Sequence, residues 1–377
     1  MTTAAESPTA RPRVLVLANT RFFPPFLEEL AQPRPGRPRA WISDVDAELE
    51  AVDQRLTTNP PRWRRALYRR LPMWVVQVLE AHRVGPQYDV VFCWSVADVT
   101  LVLSLLRTVT RRRLHVVALL TRVSESKKAR LLRRVHPRID RIILPPVVQR
   151  EFAVQALGVP ADKLVGLPWT LDAAFWSAGA AGDAWVPEGL TISAAGGEMR
   201  DYATLVRAME GTGIPCHIAG VLDTARPDWW NADERDRRGE DHVPSNVTFG
   251  TMPADELRAL YARSRLVVVP LRPTDSDNGI TCMNEAWAMG RPVIVSAVEG
   301  QRGAFVEGRE GLWVPPGDPV ALRRAILELW HDPARAAAMG AAGRRLVEEG
   351  RDHRVFSEGV SRVLREVTGL RAPAPAV

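Results

Sequence analysis

Short runs of consecutive apolar residues recur along the chain, each closed by a polar, proline or glycine-containing turn. In the first half they are RVLVLAN (13–19), YDVVFCW (88–94), LHVVALL (114–120) and DRIILPP (140–146). Runs of this length without strict alternation predict strands buried on both faces of a parallel sheet. Helical stretches such as Met73–His82 and Ser126–Val135 lie between them and supply covering layers. GAAGDAWVPEG (179–189) is small, polar and proline-containing, and reads as a linker. A second series follows it. Strands are expected in LTISAAGG (190–197), CHIAGV (216–221), NVTFGT (246–251), RLVVVP (265–270) and RPVIVSA (291–297). Helices are expected at Tyr202–Glu210, Pro253–Ser264, Cys282–Met289, Leu322–Trp330 and Pro333–Glu348, with Asp332 capping the last of these.

The alternation predicts an α/β protein of two doubly wound, Rossmann-like domains, 13–178 and 189–352, joined by a linker at 179–188. A further helix within 353–370 is expected to pack back on the first domain, and 1–12 and 371–377 read as disordered tails. Ligands on such sheets bind beyond the carboxyl ends of the strands, which makes a cleft between the two sheets the expected site.

Composition changes this picture little. A hydrophobic content of 46% over 377 residues suits two cores. Cys93, Cys216 and Cys282 are too far apart for a zinc site, and a reducing compartment fits them. MTTAAESPTARPR lacks a signal-peptide core, and no run of 18 apolar residues occurs. A cytoplasmic protein is expected, with peripheral attachment at the inner face of the membrane left open. The net charge of +6 comes almost wholly from arginine. RWRRALYRRLPMW (62–74) and KKARLLRRVHPR (127–138) are either solvated faces or segments that rest on an anionic membrane surface. No nucleic-acid module accompanies the charge.

The chemistry concentrates between 267 and 297, VVVPLRPTDSDNGITCMNEAWAMGRPVIVSA. A buried strand runs into a polar loop, and the turn Asp277-Asn278-Gly279-Ile280-Thr281 leads into a helix start. Free N–H groups there favour an anion such as a diphosphate, and Gly279 admits it to the backbone. Asp277 can accept from sugar hydroxyls and Glu285 from a ribose diol. The plainer reading makes Asp277 a helix cap and Glu285 a solvated helix residue. A second phosphate loop is expected in SAAGGEMRDYATLVRAM (193–209), with Gly197 at the turn and Arg200 as a bidentate fork or, more plainly, a surface arginine.

These runs resemble retaining glycosyltransferase family 4, which has the GT-B fold. The family shows Glu-x7-Glu followed by "EAMACGxPVV"; this chain has Asp277, seven residues, Glu285, then AWAMGRPVIVS. EGREGLWVPPGDPVALRRAI (307–326), DPARAAAMGAAGRRLVEE (332–349) and FGTMPADELRALYARSRLVVVP (249–270) resemble the flanking family runs in order. KLVGLPWTLDAAFW (163–176) is similar to the family's "kvxvipnGvDtxxF", with Asp172 and Phe175 at its aspartate and aromatic positions.

The resemblance implies a glycosyltransferase that moves a sugar from a nucleoside-diphosphate sugar, a UDP-sugar favoured, with retention. The acceptor would be a small molecule, a glycan or a lipid-linked group. Glu285 would hold the ribose, and Asp277 the transferred sugar near the reacting carbon. Asn278, Gly279, Ile280 and Thr281 would line sugar and diphosphate, and Thr251 and Met252 would lie near the base. Arg200 would act at the diphosphate, with Arg272 a candidate for the family's second positive charge. Two departures stand out: Asp277 is one methylene shorter than the family's glutamate, and Glu198 lies near a family arginine. No cofactor or metal is expected; Asp275-Ser276-Asp277 is the nearest thing to a metal motif and reads as loop carboxylates.

The likeness is weak before residue 150. Asn19, Thr20 and Arg122, after the first and third apolar runs, are the acceptor-side candidates, and no histidine stands beside Arg122 in Thr121-Arg122-Val123-Ser124. A GT-B nucleotide-sugar epimerase or a non-catalytic nucleotide-sugar-binding protein would share this fold. A dinucleotide oxidoreductase would need GxGxxG after the first strand, which RVLVLANTRFF lacks.

Overall fold

The computed structural model describes residues 11–18, 36–52, 61–95, 97–110, 114–180, 189, 191–220 and 243–370. Asn19 and Thr20, most of the expected linker and, of the expected tails, 1–10 and 371–377 lie outside the described residues. The chain divides into two compact units. One comprises Ala40–Pro168 with the first strand and the segment from Arg354; the other comprises Trp169–His353 with the segment ending at Arg39.

The first unit is a six-stranded sheet in the order β2-β1-β3-β4-β5-β6. Its strands are β1 (Arg13–Leu17), β2 (Glu48–Ala51), β3 (Val90–Trp94), β4 (Val116–Leu119), β5 (Arg141–Ile143) and β6 (Leu164–Val165). Every pairing is parallel. The helices are α1 (Arg62–Tyr68), α2 (Met73–Val84), α3 (Ala97–Thr110), α4 (Ser126–Val135) and α5 (Val147–Gln155). The apolar runs became the central strands because β1, β3 and β4 are buried on both faces. The edge strand β2, ELEA, was not expected: one side of an edge strand meets water, so charged residues interrupt its run.

The second unit repeats the plan with β7 (Thr191–Ala195), α6 (Tyr202–Met209), β8 (Cys216–Ala219), β9 (Val247–Phe249), α7 (Ala254–Arg263), β10 (Ser264–Val269), α8 (Ile280–Ala288), β11 (Val293–Ser296), β12 (Gly311–Val314), α9 (Pro319–His331) and α10 (Pro333–Gly350). Its parallel sheet runs β12-β11-β10-β7-β8-β9. Alternation along β10 shows the double winding. Leu266 and Val268 face a core that includes Leu205 and Ile326, whereas Val267 and Val269 face one that includes Tyr261, Met283 and Trp287. Asp332 caps α10 as expected, accepting from the N–H of Arg335 at 2.9 Å.

The expected domain boundary at 178 falls instead between Pro168 and Trp169. Residues after Trp169 are stitched to the second unit: the N–H of Leu171 donates to Arg351 O at 3.0 Å, and that of His353 to Leu171 O at 2.8 Å. Asp172 caps the N–H of Phe175, and Arg258 lies over the Phe175 ring at 4.3 Å. The last helix, α11 (His353–Thr368), belongs from Arg354 onward to the first unit. There Ser357 Oγ donates to Trp41 O at 2.6 Å, Phe356 packs against Trp41, and Arg365 pairs with Asp46. Among the described residues no helix is long and apolar enough to cross a membrane.

Candidate active site

In the second unit the strand order reverses between β7 and β10. Loops leaving the two strands diverge at such a point and open a crevice beyond their carboxyl ends. The turn at 196–201 follows β7 and the loop at 270–279 follows β10, so topology brings the two expected phosphate segments together. They are joined by backbone hydrogen bonds: the N–H of Asp201 donates to Pro270 O, and that of Arg272 to Met199 O, both at 3.0 Å.

The second loop is held from behind. Gly300 N–H donates to Thr274 O at 2.9 Å, and Gln301 Nε2 to Asn278 O at 2.6 Å. A β-carbon on Gly300 would lie 1.8 Å from Ser276 O, so only glycine permits this approach. Gly279 then turns the chain into α8 with φ +93°, and a β-carbon there would lie 2.7 Å from Val269 Cγ1. Gly279 is the helix N-cap and no side chain caps it. Asp277 therefore does not cap the helix with its carboxylate; its carbonyl accepts from the N–H of Ile280 at 3.2 Å. The first turn of α8 thus presents the positive end of its dipole, with Thr281 exposed and Asn278 and Ile280 half-buried.

The two carboxylates are half-buried. Burial pushes the Asp277 carboxyl up to about 6, opposed by a hydrogen bond donated by Trp169 Nε1 and assisted by the nearby Glu198 charge. Burial pushes Glu285 up further, to about 8, opposed by the Tyr261 hydroxyl, which donates to Oε2 at 3.4 Å, and by the Arg200 charge. Trp169 is anchored in turn, since its carbonyl accepts from Asn284 Nδ2 at 2.9 Å, and Asn284 Oδ1 accepts from Arg351 at 2.7 Å.

Arg200 is placed differently from the expected outward fork. It is buried, and its guanidinium donates to Ala195 O and Glu198 O at 2.8 Å each and to Cys282 Sγ at 3.2 Å. It ties the end of β7, its turn and the first turn of α8 into one piece. Gly196, with φ +92°, passes directly over it: a β-carbon there would meet Arg200 Nη2 at 2.6 Å. The neighbouring Gly197 is exposed, with no atom near its would-be side chain. Arg272 is half-buried on the adjoining loop. Thr251 and Met252 follow β9, the first exposed and the second half-buried. Beside them, His217 is buried, with Nδ1 2.8 Å from Thr248 Oγ1. Arg122 lies in the first unit, on the loop after β4.

Sequence reasoning missed Trp169, Tyr261 and Gln301. One signal for the first was present: a tryptophan stands where the related "ipnGvD" pattern has a small polar residue.

Comparison with known proteins bears on this geometry. Residues 200–332, which hold most of the site, match the family of glycosyl transferases group 1. A GDP-mannose-dependent alpha-(1-6)-phosphatidylinositol monomannoside mannosyltransferase of Mycolicibacterium smegmatis is 34% identical over 107 residues, 27% of this chain and 28% of that protein. The D-rhamnosyltransferase WbpZ of Pseudomonas aeruginosa is 31% identical over 149 residues, 38% of this chain and 37% of its own length. The matched stretch thus spans about a third of these relatives, as 28% and 37% show. The structure of sucrose-phosphate synthase from Thermosynechococcus elongatus superposes with a TM-score of 0.70 at 19% identity, covering 96% of this chain and 100% of the other. The fold is the two-domain GT-B fold. The two parallel sheets, each flanked by helices, are its two Rossmann-like halves.

Proposed function

We propose that this chain is a glycosyltransferase that takes a sugar from a nucleoside-diphosphate sugar and releases the nucleoside diphosphate. The observation that carries the reading is the meeting, at one sheet reversal, of a glycine turn, an uncapped helix start and two half-buried carboxylates. That meeting falls within the stretch similar to group 1 glycosyl transferases.

In this reading the N–H groups at the start of α8 and around Gly197 receive the diphosphate and stabilise charge as it departs. Glu285 binds the ribose diol, and diol donation favours its ionised form. Asp277, held by Trp169, accepts from hydroxyls of the transferred sugar. Asn278, Gly279, Ile280 and Thr281 line sugar and diphosphate, and Thr251 and Met252 lie at the base. Arg200 acts as a positioning residue that fixes the two loops, and Arg272 supplies positive charge at the diphosphate. The resemblance to family 4 supports retention at the anomeric carbon.

The acceptor is a small molecule, a glycan or a lipid-linked group. The relative from Mycolicibacterium smegmatis, whose name includes a phosphatidylinositol monomannoside, supports the last. So does α1, a short helix with no buried residue, which holds Arg62, Arg64 and Arg65, is followed by Arg69 and Arg70, and has Trp63 and Leu67 70% and 44% exposed. Such a face suits an anionic membrane surface.

Release of nucleoside diphosphate from UDP-, GDP- and dTDP-sugars, with and without acceptors, tests the function. Absence of turnover with every donor overturns it. Interconversion of the nucleotide sugar without transfer gives the epimerase, and binding without either reaction gives the non-catalytic reading. The anomeric proton coupling of the product tests retention.

A further inference from the structure

Asp277 is the residue assigned to the transferred sugar, and its surroundings set how much of a sugar it can hold. An ionised carboxylate offers about four lone-pair positions, and with both oxygens open it can clamp a pair of hydroxyls on adjacent ring carbons. Here one oxygen is taken. Trp169 Nε1 donates to Oδ2, and the Ser276 hydroxyl and the N–H of Asp277 itself hydrogen-bond to the same carboxylate. Room remains for about one hydroxyl from outside the protein.

The indole does more than consume an acceptor position. It stands where the second hydroxyl of a diol would donate, and behind its N–H it is a half-buried aromatic ring. A sugar hydroxyl bonded to Oδ1 therefore brings the adjacent ring carbon against apolar surface. A hydroxyl on that carbon would lose water and gain no acceptor there, whereas a CH₂ group loses no hydrogen bond.

The arrangement is fixed from two sides. The carbonyl of Trp169 accepts from Asn284 Nδ2 at 2.9 Å, and Asn284 is 1% exposed, so withdrawal of Trp169 would leave a buried amide unpaired. Asn284 Oδ1 accepts from Arg351 Nη1 at 2.7 Å, and Arg351 also donates to Ala304 O at 2.7 Å and lies 4.9 Å from the Trp287 ring centroid. On the other side Gly300 packs directly on Ser276, where a β-carbon would lie 1.8 Å from Ser276 O. Neither the indole nor the loop that carries Asp277 makes way for a second hydroxyl without breaking these contacts. Aspartate adds to the effect, since with one methylene less than glutamate it does not reach past the indole to a more distant hydroxyl.

We propose that Trp169 and Asp277 together select a deoxy sugar: the donor carries one hydroxyl for Asp277 Oδ1 and, on the adjacent ring carbon that meets the indole, hydrogen in place of hydroxyl. The assignment rests on the glycosyltransferase reading and narrows it from hydroxyls in general to a single one.

Calorimetric titration of the full chain with matched donors tests it. The probes are UDP-glucose, GDP-mannose and dTDP-glucose, the 2-deoxy, 3-deoxy and 4-deoxy analogue of each, and UDP, GDP and dTDP alone. On the nucleotide that binds most tightly, one deoxy analogue should bind about tenfold or more tighter than its parent, the scale on which an apolar site rejects an added hydroxyl. Trp169→Gln keeps a donor on a smaller, polar side chain and should reduce that preference to below about threefold. Trp169→Asn combined with Asp277→Glu removes the ring, lengthens the carboxylate and should reverse the preference in favour of the parent sugar. Affinity for the nucleoside diphosphate alone, which does not reach Oδ1, should stay within about threefold in both variants and controls for folding. A parent sugar bound as tightly as every analogue, or a preference unchanged in both variants, overturns the proposal. Where the nucleoside diphosphate still binds, that result leaves the glycosyltransferase reading standing; no binding of UDP, GDP or dTDP overturns both.

Discussion

The two sheets each reverse their strand order once, and each reversal opens a crevice, yet the crevices are furnished differently. Beyond β7 and β10 the loops are bound to each other and to Gly300 and Gln301 through main-chain atoms, and the chemistry is backbone N–H groups and two carboxylates. In the first unit a cavity lies at the ends of β3 and β4, and its lining is side chains: an aromatic face, one carboxylate and two cations. Main-chain groups at a fixed turn suit a ligand part that never varies, such as a diphosphate. Side chains suit a part that differs among proteins of one fold. The fold supplies the strand ends in both places, and the loop residues set the chemistry that each presents.

Single substitutions in either unit test this contrast. Asp277→Ala should have the largest effect, lowering kcat about a thousandfold, on the order of 4 kcal/mol of transition-state stabilisation. Affinity for nucleoside diphosphate should stay within about threefold, measured by calorimetry beside steady-state kinetics. Equal loss of both would mean that the second-unit crevice does not separate sugar from nucleotide.

Gly300→Ala tests whether the loop after β10 is rigid because it is tied from behind. With backbone 1.8 Å from the new β-carbon, a stability loss of about 3 kcal/mol in denaturant titration is expected. An unchanged midpoint would show that the loop yields.

Glu285→Gln should weaken nucleoside-diphosphate binding about tenfold at pH 9, near the lower end of the roughly 1.5–3 kcal/mol of a hydrogen bond to a charged group. In the wild type, affinity should rise with pH through about 8, where the carboxyl ionises, and the variant should be flat. The sign for stability is opposite. The unfolded carboxyl ionises near 4.5 while the folded one keeps its proton to about 8. The folded state therefore binds more protons across that window, and stability falls as pH rises through it. Thermal melts of the variant should lack that part of the decline.

Trp169→Phe removes the indole N–H from Asp277. The acid limb of kcat/KM, expected near 6 in the wild type, should move upward, and kcat/KM should fall about fivefold at neutral pH, about 1 kcal/mol for one hydrogen bond. An unmoved limb would mean that the indole serves packing alone. Trp63→Ala should have the smallest effect, reducing sedimentation with anionic vesicles about threefold with nucleotide binding unchanged. Equal sedimentation with neutral vesicles would remove charge from the account.

The turn from Asp277 to Thr281 and the helix carrying Glu285 were readable in the chain, because a strand end, a glycine with positive φ and a helix start are local features. Arg200 was readable as a residue and misleading as a direction. Whether a guanidinium points out to phosphate or in to carbonyls depends on what lies beneath it, and here that is Ala195 and Cys282. Of the first-unit cavity the sequence singled out Arg122 without its neighbours: Trp74, Ser95 and Asp98 come from separate elements and share no spacing with it.

Local pattern was enough for the buried strands, their grouping into two α/β series and the glycines on which the turns depend. Period, turn chemistry and apolar run length act over a few residues and need no distant partner. Tertiary structure alone decided the strand order that puts the two loops of the second unit side by side, the pairing of Trp169 with Asp277, and the depth that raises Asp277 to about 6 and Glu285 to about 8. Those outcomes depend on loss of solvent and on contacts between residues far apart in the chain, and neither is written in any local pattern.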